Sequence, residues 1–67
     1  MRKVTIAGAR VSCNMTQREL ADKIGVSRET VLAWETGKRK IKTAYLRMIC
    51  DVTGFDMDDF LLPGDIT

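Results

Sequence analysis

TQRELADKIGVSRETVLAWETG, residues 16–37, decides how this chain folds. Thr16-Gln17-Arg18-Glu19 is a capping box. The Thr16 hydroxyl can accept from the Glu19 amide, and the Glu19 side chain can reach back to the Thr16 amide. Met15 before the cap and Leu20 after it form a hydrophobic staple. The spacing predicts a helix over 17–24 that buries Leu20, Ala21 and Ile24. Gly25 then supplies the positive φ of a sharp turn. Val26 points inward and Ser27 caps a second helix over 28–36, stopped by Gly37. At about 100° per residue, Val31 and Trp34 share one side of that helix. Glu29, Leu32, Ala33 and Thr36 cluster opposite, with Arg28 at their edge. The stretch is two short amphipathic helices set at an angle.

Outward from it the chain reads as further short helices, five in all, and the fold class is all-α. Thr5 caps a first helix over 6–13 with Ile6, Ala9, Val11 and Cys13 inward, and Asn14 ends it in the left-handed conformation. A fourth helix over 43–53 buries Leu46, Ile49, Cys50 and Val52 before Gly54. Asp56 to Asp59 begin a fifth over 57–61, where acidic groups favour the positive end of the helix. Phe60 and Leu61 close the core, and a loose tail follows from Pro63. No stretch makes a strand, although residues 2–6 alternate weakly.

The 67 residues suffice for one domain, 1–67. Such a fold buries only about 60% of the surface its unfolded chain exposes, so every core residue counts. Cys13 and Cys50 are the only cysteines and there is no histidine, which argues against a disulfide framework or a structural zinc site. The two thiols are expected to be free and mostly buried. No apolar run reaches about 18 residues and no signal peptide is evident, so the expected location is cytoplasmic, with no membrane association. No nucleophile–base pair or metal-loop spacing stands out, and neither an enzyme nor a cofactor or small-molecule ligand is implied. The charge is asymmetric. Residues 1–42 carry ten Lys or Arg and four Asp or Glu, a net of +6; residues 43–67 carry one Arg and five Asp, a net of −4. A basic front suits an anionic partner.

The residues Met15-Thr16-Gln17, Glu19-Leu20-Ala21, Ile24-Gly25-Val26-Ser27, Val31, Trp34-Glu35 and Gly37-Lys38 resemble the helix-turn-helix domain of phage repressors and Cro proteins, the XRE family. Leu46, Ile49, Gly54 and Asp58 to Leu62 extend the likeness, which covers about residues 5–62. Three positions depart from the family pattern. Ile41 stands where proline is frequent. Lys42 stands where a capping serine is common, so that Thr43 is expected to cap instead. Thr53 precedes Gly54 where a larger apolar residue is usual.

The resemblance implies a phage-repressor-like domain whose second motif helix enters the DNA major groove, with its first residues at base edges. Arg28 would then contact guanine through two hydrogen bonds. Glu29 would accept from a cytosine amine or hold Arg28 in place, and Leu32 and Ala33 would touch thymine methyls. The plain alternative for Arg28 and Glu29 is a solvated helix start, and for Leu32 an ordinary exposed leucine. Thr16, Gln17 and Ser27 would lie against phosphates near helix starts, although for Ser27 the cap is the safer role. Lys38, Arg39, Lys40 and Lys42 would neutralise backbone charge, Lys38 and Lys40 foremost. Arg10 and Glu35 would form a structural salt bridge from the first helix to the end of the third, and Trp34 would be core.

The function expected is a sequence-specific transcriptional regulator on double-stranded DNA, a repressor of phage or mobile-element type. It would read a near-palindromic operator as a weak or DNA-induced homodimer. Met57, Phe60, Leu61 and Leu62 are candidates for the dimer contact. The competing reading is a protein-interaction module, such as an antirepressor or antitoxin-like partner, docking through the acidic side.

Overall fold

The computed structural model describes residues 3–62. The expected tail from Pro63 lies outside the described residues. Four helices form: α1 (Ile6–Ser12), α2 (Gln17–Ile24), α3 (Arg28–Thr36) and α4 (Thr43–Thr53), followed by a single 3₁₀ turn, Met57–Asp59. α2 and α3 share the most extensive contact, and α4 packs against α2.

Local signals place most of these boundaries. The Thr5 hydroxyl accepts from the Gly8 amide at 2.9 Å and starts α1. Asn14 takes a φ of 58° just beyond its end. Both halves of the Thr16–Glu19 capping box form, at 3.0 and 2.8 Å. Met15 packs against the core that contains Leu20. The core draws Ile6 and Ala9 from α1, Leu20, Ala21 and Ile24 from α2, Val31 and Trp34 from α3, Leu46 and Ile49 from α4, and Phe60. Each fully buried Val, Leu or Ile contributes about 1.5–3 kcal/mol. Trp34 packs against Tyr45 with ring centroids 5.4 Å apart and the planes tilted by 40°.

Six expectations are corrected. The helix over 57–61 does not form. Its first residues make only the 3₁₀ turn, where the Asp59 carboxylate accepts from the Asp56 amide at 3.0 Å. Phe60 is extended and bridges in parallel to Val4, which donates to the Asp59 carbonyl and accepts from the Leu61 amide, each at 2.8 Å. Those bonds claim the backbone that a helix would use. Side chains alternate there, so Phe60 enters the core while Leu61 is 57% exposed, contrary to its expected place inside. α1 stops at Ser12, and Val11 is 59% exposed, because it stands well round the helix from Ile6 and Ala9. Lys42, not Thr43, occupies the N-cap of α4, with no side-chain cap bond, since an ammonium has nothing to accept with. The free thiols Cys13 and Cys50 are half-buried rather than mostly buried.

Candidate nucleic-acid interface

The angle between α2 and α3 is built by Gly25. Its φ of 88° turns the chain so that its amide and that of Val26 both donate to the Ala21 carbonyl, at 2.8 and 3.0 Å. Ser27 then accepts from the Thr30 amide at 3.2 Å, and its hydroxyl also bonds the Thr30 hydroxyl at 2.9 Å. Val31 and Trp34 anchor α3 inward. What remains outside is one contiguous face. Arg28, Glu29, Leu32 and Thr36 are exposed and Ala33 is half-buried. Among the described residues, Arg28 and Glu29 have no side-chain partner and stand free at the start of the helix.

Beside this face lies the N-terminus of α2. Its capping box satisfies the amides of Thr16 and Glu19, so the Gln17 and Arg18 amides keep no intrahelical acceptor. The hydroxyl hydrogen of Thr16 is also unspent, because the oxygen serves as acceptor. The Gln17 amide nitrogen donates to Glu35 Oε1 at 2.9 Å. Its second hydrogen stays available to an external acceptor. Spacing across 18 residues gave no sign of this bond; it follows from the angle between α2 and α3.

Glu35 is the hub of this corner. Arg10 Nε donates to Glu35 Oε2 at 2.7 Å and Arg10 Nη2 to Oε1 at 3.3 Å, a two-pronged pair. Arg10 Nη1 also donates to the Met15 carbonyl at 2.8 Å. The two side chains are only 14% and 7% exposed. The cluster therefore locks the end of α1, the start of α2 and the last turn of α3 to one another.

The basic loop leaves from Gly37, with a φ of 81°. The Arg39 amide donates back to the Ala33 carbonyl at 3.3 Å, and Ile41 packs against the core. These two anchors hold the loop while Lys38, Arg39, Lys40 and Lys42 are all exposed. Lys38 lines an open depression together with Glu29, Leu32, Ala33 and Thr36. The acidic side is built separately. Asp51, Asp56 and Met57 surround Cys50 together with Arg47. Burial pushes the Cys50 thiol above its usual range, and the charges of Asp51, Asp56 and Asp59 push the same way. Of the four residues considered for a dimer contact, Phe60 is spent in the core; Met57 and Leu61 are exposed and Leu62 is half-buried.

Two helices joined by a glycine turn, with the second presenting an open polar and apolar face beside cations, define a helix-turn-helix protein. A family model described as helix-turn-helix matches residues 6–60, and the chain belongs to the XRE family of DNA-binding transcription regulators. Comparison with curated proteins gives no match. Among the described residues, no helix is long and apolar enough to cross a membrane.

Proposed function

We propose that the chain is a sequence-specific repressor of phage or mobile-element type, working in the cytoplasm on a near-palindromic operator. The observation that carries this reading is the outer face of α3, open from Arg28 to Thr36 and flanked by the α2 N-terminus and four exposed cations. Arg28 reads guanine through its fork of donors. Glu29 accepts from a cytosine amine, and Leu32 and Ala33 meet thymine methyls. The free amides of Gln17 and Arg18 receive a phosphate, helped by the Thr16 hydroxyl and the second N–H of the Gln17 side chain. Ser27 touches the backbone only through what its cap leaves over. Lys38 and Lys40, with Arg39 and Lys42 behind them, neutralise phosphates along the strand.

One such unit reads a short half-site. Two copies, with recognition helices about 34–36 Å apart, give useful affinity. Their mutual contact is weak or forms on DNA, through Met57, Leu61 and Leu62. Fluorescence anisotropy on the duplex upstream of the protein's own gene, against a scrambled duplex, tests the reading. Binding should be tighter to the first and fall as salt rises. Arg28→Ala should cost about 1–3 kcal/mol on the first duplex and narrow the gap between the two. Equal weak binding to both would sink the reading and point to a protein partner instead.

A further inference from the structure

Thr36 donates its hydroxyl to the Leu32 carbonyl at 2.9 Å, with the Ala33 carbonyl 3.4 Å away. A threonine whose hydroxyl is turned onto its own helix presents its methyl in another direction, because Cβ is tetrahedral. Thr36 also lines the open depression on the outer face of α3, with Leu32 and Ala33. The floor that these three side chains give is mainly apolar; the charged residues of the lining are Glu29, which precedes them along the helix, and Lys38, which follows its end. Of the groups that base pairs present in the major groove, the C5-methyl of thymine is the apolar one. The acceptors of guanine would leave their hydrogen bonds unmade against such a floor, and Glu29, an acceptor only, would repel them.

We propose that Thr36 is a specificity-determining residue, completing with Leu32 and Ala33 an apolar seat for the 5-methyl group of one operator thymine. This rests on the proposed reading of the α3 face and deepens it. Lys38 is left to hold the adjoining phosphate, which sets the depth at which the base edge meets the floor.

The test begins by selecting a preferred duplex from a randomised pool with the full chain. Each thymine in it is then replaced by deoxyuridine, which removes one methyl and nothing else. One position in each half-site should weaken binding by about fourfold, the effect of burying a single methyl. Thr36→Ser keeps the hydroxyl bond and deletes only the side-chain methyl. In that variant the deoxyuridine penalty should drop below twofold. Tolerance of deoxyuridine at every position would overturn the proposal, and so would an unchanged penalty in Thr36→Ser. Failure to select any preferred duplex would overturn the regulator reading itself, and the proposal with it.

Discussion

Replacing Arg10 with Met removes a charge while keeping an apolar stem of similar reach. The structure sets the size of the effect. Glu35 would lose both Arg10 contacts, at 2.7 and 3.3 Å, and keep only the Gln17 amide at 2.9 Å. The Met15 carbonyl would lose its 2.8 Å donor as well. A carboxylate 7% exposed would then sit next to one neutral donor. Breaking a buried pair costs about 3–5 kcal/mol. The retained Gln17 bond argues for the lower end, about 3 kcal/mol. A domain of 67 residues has a total stability of about 3–10 kcal/mol, so the loss is a large share of it.

Urea unfolding followed by fluorescence is the assay, since Trp34 is the only tryptophan and is 3% exposed. With a slope of about 1 kcal/mol per molar, as befits so small a protein, the midpoint should fall by about 3 M. The double variant Arg10→Met with Glu35→Met removes both charges. It should recover most of the loss, to within about 1.5 kcal/mol of the parent, because no carboxylate is left uncompensated. A single-variant shift below about 0.5 M would refute the reasoning. A double variant as unstable as the single would show that packing, not charge, sets the cost.

Three further outcomes are expected. Lys38→Ala and Lys40→Ala should each flatten the slope of log affinity against log salt by about 0.9, with little change in sequence preference; an unchanged slope would remove that lysine from the phosphate contacts. Gly25→Ala meets no atom within 4 Å but must hold a φ of 88°, so it should destabilise the fold by about 1–2 kcal/mol through the backbone alone, read from the same urea curves. Cys50 should react with iodoacetamide several-fold more slowly in the folded protein than in urea, since burial and its aspartate neighbours raise its pKa above the ordinary 9.0. The sign follows: the folded state holds that proton longer, so the thiol's contribution to stability is present below the ordinary value and is lost as pH rises past it. Equal labelling rates in both states would refute this.

The helix-turn-helix was legible because local chemistry fixes each of its corners. Thr16, Glu19, Gly25 and Ser27 act on backbone groups within four residues, so their spacing in the sequence is their spacing in space. The C-terminal segment was not legible in the same way. Asp56 to Asp59 carry a sound helix start, yet the Asp59 carbonyl and the Leu61 amide, on either side of Phe60, are taken by Val4, more than fifty residues away. A local signal cannot register a partner that distant. The Gln17 bond to Glu35 was hidden for the same reason. Each residue alone has several plausible uses, and only the angle between α2 and α3 brings them together.

The two sides of α3 are under different constraints. Val31 and Trp34 are buried, so changing them would open a cavity in a core with little stability to spare. Their identity is tied to the fold, which is why a pattern of inward positions suffices to recognise it. Arg28, Glu29, Leu32 and Thr36 face outward, where substitutions usually change stability by less than about 0.5 kcal/mol. Folding leaves those positions free, and the corner locked by Arg10, Gln17 and Glu35 holds the face at one angle whatever it carries. The residues that make the scaffold recognisable are therefore not the ones proposed to choose its DNA. On the proposed reading the choice would rest on a few outward side chains, and the hydroxyl of Thr36, turned onto its own helix, is a detail that only the structure displays.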